Sequence, residues 1–103
     1  MSKPPNDWKH YDKHVLHPYS DGFWQKLFAL PNGDSIGVEL IEYKPHPPQT
    51  TTWSYELEIQ IPDQHSVIKG MTINVKVFAY QTKRLDWKAV ENHAQILLLK
   101  LIN

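Results

Sequence analysis

The residues best suited to chemistry are three histidines and an aspartate near the start of the sequence. His10, Asp12, His14 and His17 lie close together, and on a helix the histidines would share one face at spacings of four and three residues. Neutral imidazoles so arranged bind Zn²⁺ or Ni²⁺. Pro18 follows directly and no second ligand group completes the set, so hydrogen-bonded or solvated histidines are the favoured interpretation. We therefore predict no metal and no cofactor, while metal binding stays the alternative for these histidines.

The rest of the sequence carries no recognisable catalytic pattern. No nucleophile stands beside a plausible base, no glycine-rich phosphate loop occurs, and no carboxylate pair stands out. The sequence has no cysteine, which removes disulfides and thiolate ligands and fits a reducing compartment. No apolar run approaches the roughly 18 residues of a membrane span, and no apolar signal core follows the first residues. These features predict a non-catalytic, cytoplasmic protein without a membrane partner.

The clearest structural elements lie in the second half of the sequence. Apolar and polar residues alternate over residues 53–61 and again over 67–77, which predicts two strands with one buried face. The segment 62–66 has the composition of a turn. Pairing of Ile61 with Val67 would place both apolar faces on the same side of the sheet.

An earlier hairpin is predicted around Asn32 and Gly33. Asn-Gly between apolar runs is typical of a type I′ turn, because both turn residues need positive φ. The two-residue loop would pair Lys26 with Glu39 and place several large side chains on the face away from the core. That apolar stripe includes Trp24, Phe28, Ile41 and Tyr43. It would need a cover, which could be the N-terminal segment, a second copy or a partner.

A C-terminal helix follows the strands. Apolar residues recur at three- and four-residue spacing over residues 87–101, the pattern of an amphipathic helix, with Thr82 or Asp86 as its N-cap. Ile96 and Leu99 lie off the main apolar stripe, so the end of the helix would be apolar nearly all round. The residues predicted to be buried together are Tyr55, Leu57, Ile73, Val75, Val90, Leu97 and Leu98.

The predicted fold class is α+β, in the order ββββα. Two consecutive hairpins form a four-stranded antiparallel sheet, most simply a meander, and one C-terminal helix packs on one face. The chain has 103 residues, of which 41% are apolar, so one modest core is expected. We predict an extended N-terminal arm over residues 1–20 and a single domain over 21–103. The arm's possible anchors are Trp8, Tyr11, Val15, Leu16 and Tyr19.

The ββββα order resembles that of two groups of single-stranded nucleic-acid binders, the positive-cofactor type of coactivator domain and the Whirly proteins. The resemblance concerns architecture alone, and a shared architecture does not by itself imply a function; what it offers is single-stranded nucleic-acid binding as an expectation. The residues available for it are Lys69, Lys76, Lys83, Arg84 and Lys88, with Phe78 and Tyr80. Such binders need basic residues interleaved with aromatics, whereas Glu56 and Glu58 lie on the polar face of the third predicted strand.

Surplus apolar surface supports a different function. A soluble chain with clustered large apolar residues outside its core usually makes a contact there, and two-fold symmetry is the commonest arrangement. We therefore predict a small non-catalytic protein-interaction or self-associating module, with a homodimer or another protein as partner. Its candidate contact residues are Trp24, Phe28, Ile41, Tyr43, Ile96 and Leu99. Single-stranded nucleic-acid binding is the alternative, and an enzyme ranks third.

Overall fold

The computed structural model describes residues 6–12, 20–30, 33, 35–62, 67 and 72–102. Within these residues the elements are β1 (Lys9–Tyr11), β2 (Gly22–Ala29), β3 (Ser35–Tyr43), β4 (Ser54–Pro62), β5 (Thr72–Tyr80) and α1 (Trp87–Ile102). The strands form one antiparallel sheet in the order β1-β2-β3-β4-β5, which is the predicted meander. The α+β class and the C-terminal helix are confirmed. The predicted count of four strands is wrong, because the structure has a fifth strand in the segment predicted as an arm.

The additional strand, β1, pairs with β2 at the edge of the sheet. With only three residues, it is too short to show the alternation of apolar and polar residues that predicts a strand. Tyr11 opposes Phe23 and stacks on its ring, with the ring centroids 5.2 Å apart. Trp8, directly before β1, is only 4% exposed, and its indole contacts the rings of Phe28 and Trp87. Residues 8–11 therefore belong to the folded sheet and its core. The predicted anchors Val15, Leu16 and Tyr19 lie outside the described residues.

The register of the β2–β3 hairpin differs from the predicted one by one residue. Lys26 opposes Val38 instead of Glu39. Because successive side chains alternate between faces, this difference separates residues that were predicted to share a face. The predicted stripe is consequently wrong: Trp24 and Phe28 lie on the face that packs against α1, whereas Ile41 and Tyr43 lie on the opposite face.

The turn chemistry explains the difference in register. β2 and β3 last pair at Ala29 and Ser35, so the connection is longer than two residues, and within it the N–H of Gly33 donates to the carbonyl of Leu30 at 3.0 Å. A two-residue loop would pair Pro31 with Asp34 and would require a backbone N–H that proline lacks. Gly33 has a φ of +92°, which glycine adopts without steric cost. Asn32 lies outside the described residues, so the turn type itself stays a prediction.

The register of the β4–β5 hairpin is also shifted. Ile61 opposes Ile73 rather than Val67, and Val67 is fully exposed at 100%. The predicted register would have continued the buried face through Lys69, where an unpaired charge is costly. The predicted pairing of these strands is therefore wrong, although both strands exist.

A β-bulge lies within β5. Leu57 opposes Phe78 while its neighbour Glu58 opposes Lys76, which leaves Val77 as the extra residue. The bulge changes which alternate positions of β5 face α1. After it, Phe78 lies on the helix side together with Leu57.

The core lies between α1 and the inner face of the sheet. Its buried residues are Trp8, Phe28, Val38, Leu40, Tyr55, Leu57, Ile59, Leu85, Trp87, Val90, Ala94 and Leu98. The predicted core residues Tyr55, Leu57, Val90 and Leu98 are among them. Of the other predicted core residues, Leu97 is half-buried, and Val75 is 38% exposed because β5 is an edge strand. The side chain of Ile73 is not among those that the structure describes.

Asp86 is the N-cap of α1. Its Oδ1 accepts hydrogen bonds from the N–H groups of Lys88 at 3.1 Å and Ala89 at 3.5 Å, and its carbonyl accepts the first helical bond from Val90. Thr82, the other predicted cap, instead closes a local turn in which the N–H of Arg84 donates to Thr82 Oγ1 at 3.1 Å. Of the two predicted caps, Asp86 is confirmed.

Candidate interaction surfaces

The free edge of β5 is the first candidate surface. β5 is nine residues long, contains no proline, and is the last strand of the sheet in the described part of the chain. The opposite edge ends in β1, which has only three residues. Natural sheets shorten, charge or cover their edges because the unpaired N–H and C=O groups can pair with another strand. The β5 edge has the length that such pairing needs.

An apolar cleft lies beside this edge, between β4, β5 and α1. Its volume is about 110 Å³, and it is lined by Ile59, Ile61, Val75, Val77, Leu97 and Lys100. Apart from Lys100 these residues are aliphatic. Since a cavity of about 150 Å³ takes up a benzene ring, this cleft is of the size for one aliphatic side chain. We refer to the β5 edge together with this cleft as the β5 surface.

An aromatic cluster continues the helix side of β5. The rings of Phe78 and His93 stack with centroids 4.1 Å apart and planes at 10°, and Phe78 is 36% exposed. The Tyr80 hydroxyl lies 2.7 Å from His93 Nδ1. Burial raises the pKa of Tyr80 to about 12, so its hydroxyl keeps its proton at neutral pH. One ring face of Phe78 is thus already occupied within the chain.

The predicted apolar stripe is not an open surface. Phe28 is 8% exposed and Ile41 is 0% exposed. Trp24 is half-buried, with its ring packed edge-on against Trp87 at 5.0 Å. Tyr43 is also half-buried, and its hydroxyl donates to Glu56 Oε2 at 3.4 Å. Burial, followed by the negative charges of Glu56 and Glu58, raises the Tyr43 pKa to about 12.

The two predicted helix positions are accessible. Ile96 is 51% exposed and Leu99 is 61% exposed, so both lie on the outward side of α1. This agrees with their position off the apolar stripe of the helix. They form a second patch of exposed aliphatic side chains, on an element that borders the β5 surface.

The predicted basic residues do not form one surface. Lys76 donates to Glu56 Oε1 at 2.8 Å on the face opposite α1, whereas Phe78 lies on the helix side. Lys69 lies outside the described residues. The remaining cations are near the start of α1: Lys83, Arg84 and Lys88 are exposed, and none of them forms an ion pair with a described carboxylate.

A partly buried ionic cluster joins the N-terminal segment, the sheet and the helix. Lys26 Nζ lies 2.7 Å from Asp7 Oδ2 and 2.9 Å from Glu91 Oε1, and Trp8 Nε1 donates to the same Glu91 oxygen at 2.7 Å. Burial would lower the pKa of Lys26, but its hydrogen bonds to Asp7 and Glu91 outweigh burial and raise it. Sequence patterns gave no signal for this cluster, since it depends on how three elements pack. Every charge in it has a partner, so its role is structural.

The predicted metal group is only partly described. His10 packs its ring against Trp24 with centroids 4.6 Å apart, while His14 and His17 lie outside the described residues. Among the described residues, no group of three or more histidine, aspartate or glutamate side chains could hold a metal ion. The metal hypothesis for the three histidines therefore stays untested. None of the described helices has the length and apolar character to span a membrane.

Comparison with known proteins finds no match: no protein-family model, no curated protein and no solved structure matches this chain.

Proposed function

We propose that the protein is a non-catalytic interaction module that associates with a second copy of itself through the β5 surface. The observation that carries the proposal is an edge strand of nine residues next to an apolar cleft of about 110 Å³, with Val75 38% exposed between them. Pairing would satisfy the free backbone groups of β5 and fill the cleft with an apolar side chain of the partner.

The sequence of β5 suits pairing with itself. A two-fold axis at Val75 would put an apolar residue opposite its own copy, which is favourable in antiparallel pairs. The nearby charge of Lys76 is compensated by Glu56 of the same chain, so the pairing brings together no uncompensated like charges. The bulge at Val77 limits regular pairing to Thr72–Lys76.

The helix would supply the rest of the interface. A specific interface buries about 1,200–2,000 Å² in total, which is more than a short strand pair provides. With an axis perpendicular to the sheet, both copies of α1 lie on the same face of a continuous sheet. Lys100 lines the apolar cleft beside β5, and Ile96 lies one helical turn before it. Ile96 is 51% exposed. It is the helix position best placed to contact the second copy.

Sedimentation equilibrium tests the proposal. The unmodified protein should be a dimer at high micromolar concentration, and Val75→Lys should shift it to monomer. Leu27→Lys is the matched control, because Leu27 is another strand aliphatic, 68% exposed, on β2. Phe28→Glu is unsuitable, since Phe28 is buried and its loss would unfold the core.

The outcomes separate the alternatives. A clean monomer of the unmodified protein would refute self-association and leave an outside partner. An equal shift by Leu27→Lys and Val75→Lys would show that the β5 surface is not the interface. A dimer unaffected by Val75→Lys but dissociated by Leu99→Glu would place the contact on the outward side of α1 instead.

Single-stranded nucleic-acid binding is the second candidate, supported by Lys83, Arg84 and Lys88, which are exposed and form no ion pair with any carboxylate in the described part of the chain. Titration of labelled single-stranded DNA should show an affinity that falls steeply with salt, because bound cations release counterions from the phosphates. Absence of binding at tens of micromolar at low salt would remove this candidate. The cytoplasmic location and the lack of enzymatic activity also stay proposals.

A further inference from the structure

A second cleft lies on the helix side of the sheet, where the segment before α1 meets β2, β3 and β4. Its volume is about 160 Å³, and its walls include Trp24, Glu42, Tyr55, Lys83, Arg84 and Trp87. An adjoining open cleft of about 400 Å³ has Trp53, Thr82 and Lys83 among its lining residues. Lys83 lines both, so the inner cleft of about 160 Å³ and the outer cleft of about 400 Å³ adjoin there, and we refer to the two together as the depression.

The inner cleft has a rigid aromatic wall. Tyr55 and Trp87 are each 6% exposed, and the indoles of Trp24 and Trp87 pack edge to face at 76°. Trp24, which is half-buried with His10 packed on it, is the accessible part of this wall, and stacking on an accessible aromatic ring contributes about 1–3 kcal/mol per nucleic-acid base. The volume of the inner cleft matches a single ring system, since a cavity of about 150 Å³ holds benzene.

Two cations stand where the inner and outer clefts join. Lys83 and Arg84 are exposed, and neither forms an ion pair with a described carboxylate. Thr82 fixes their backbone, because its Oγ1 accepts from the N–H of Arg84 at 3.1 Å and donates to the Arg84 carbonyl at 3.2 Å. Arginine and lysine so placed are the usual partners of phosphate oxygens.

Glu42 narrows the choice of ligand. It opposes Tyr55 in the β3–β4 ladder and places a carboxylate in the wall of the inner cleft. A bare anion would be repelled there, whereas a ring that carries N–H donors would be bound by the carboxylate. Burial, and then the charge of Glu42, raises the pKa of Tyr55, so the tyrosine stays neutral beside it.

We propose that this depression binds a nucleoside phosphate with an amino-bearing base. The base packs on the accessible part of Trp24 and donates to Glu42, and the phosphate lies between Lys83 and Arg84. The same chemistry is presented by a free mononucleotide and by a nucleotide within a single strand. The site shares no lining residue with the β5 surface.

Calorimetric titration with AMP, adenosine and inorganic phosphate tests the site. AMP should bind with a dissociation constant of about 1 mM or lower, and each half of the molecule alone should bind at least tenfold more weakly. The double change Lys83→Ala and Arg84→Ala should weaken AMP binding at least tenfold. Lys88→Ala is the matched control, since Lys88 is an exposed cation near the same helix start but outside both linings, and it should stay within twofold.

A wild-type measurement makes the test independent of the variants. AMP should shift the indole N–H resonances of Trp24 and Trp87, which line the inner cleft. A short oligoadenylate that binds at least tenfold more tightly than AMP, with the same variant sensitivity, would identify a single strand as the source. Equal or weaker binding would identify the free nucleotide.

The proposal would be overturned if neither AMP nor the oligonucleotide bound at millimolar concentration, or if inorganic phosphate bound as well as AMP. It would also be overturned if Lys88→Ala weakened AMP binding as much as Lys83→Ala and Arg84→Ala together. Because the site is separate from the β5 surface, Val75→Lys should leave AMP binding unaltered. Failure of the nucleotide site and failure of self-association are therefore distinguishable.

Discussion

A methyl group added at Gly37 should reveal how the sheet face opposite α1 is held together. Gly37 is a buried residue of β3, and a Cβ there would overlap Oε1 of Gln60 on the neighbouring strand. Gln60 Nε2 donates to Glu39 Oε1 at 3.0 Å, and Glu39 is only 2% exposed. Gly37→Ala therefore requires the end of the Gln60 side chain to move, and we expect this movement to break its hydrogen bond to Glu39.

The size of the effect follows from two opposing contributions. A hydrogen bond to a charged group is worth about 1.5–3 kcal/mol, while replacing a strand glycine by alanine gains about 0.5–1 kcal/mol. Gly37→Ala should thus lower the free energy of unfolding by about 0.5–2.5 kcal/mol. In a Gln60→Ala background, both the overlap and the hydrogen bond are absent. There the same substitution should raise the free energy of unfolding by up to about 1 kcal/mol.

The coupling is measured by a double-mutant cycle of the unmodified protein, Gly37→Ala, Gln60→Ala and the double variant. Urea unfolding followed by tryptophan fluorescence gives the free energy of unfolding of each protein. We expect a coupling energy of about 1.5–3 kcal/mol between the two positions. If Gly37→Ala costs the same with and without Gln60, the obstruction is not the Gln60 side chain and the reasoning is refuted. A stabilising Gly37→Ala in the unmodified protein would refute it equally.

Two further predictions concern a turn and a loop contact. Gly33→Val should lower the free energy of unfolding by about 1–3 kcal/mol through backbone strain, since φ is +92° and, apart from its chain neighbours, no described residue has an atom within 4 Å of an added Cβ. Gly33→Asn should cost less, because asparagine tolerates positive φ, and equal costs in urea unfolding would contradict this. Burial would raise the pKa of Asp21, but the Lys44 N–H at 2.7 Å and the His46 ring outweigh burial and lower it. Asp21 therefore stabilises the fold above its ordinary pKa of about 3.9, and that stabilisation is lost as pH falls through the lower folded value. Asp21→Asn should destabilise at neutral pH and have little effect near pH 2, and a difference independent of pH would exclude the mechanism.

The type of each long element could be predicted from the sequence because burial on one face leaves a period. Residues 53–61 alternate and form β4, and residues 87–101 repeat at helical spacing and form most of α1. β1 could not be found in this way, because three residues are too few to show a period. Its position is set by Trp8, whose burial depends on α1 and β2 together.

The registers were harder to predict, although the sequence holds signals for both differences. Pro31 cannot donate the bond that a two-residue loop needs, which points to a longer connection. In β5 the apolar positions switch from odd to even between Val77 and Phe78, and this switch marks the bulge. The ionic cluster around Lys26 and the clefts carry no such signal, since they form only where separate elements meet.

The contact between Trp8 and Glu91 has a consequence for how the chain is made. The two residues are 83 positions apart in the sequence, yet they are joined by a hydrogen bond of 2.7 Å. During synthesis Trp8 leaves the ribosome early, but its binding place is incomplete until α1 has also emerged. Until then the apolar side of β2–β4 has no cover, and such surfaces are prone to aggregate. We expect nascent chains halted before α1 to associate with chaperones, and to be cleaved by proteases at the N-terminal segment as readily as at the exposed sheet.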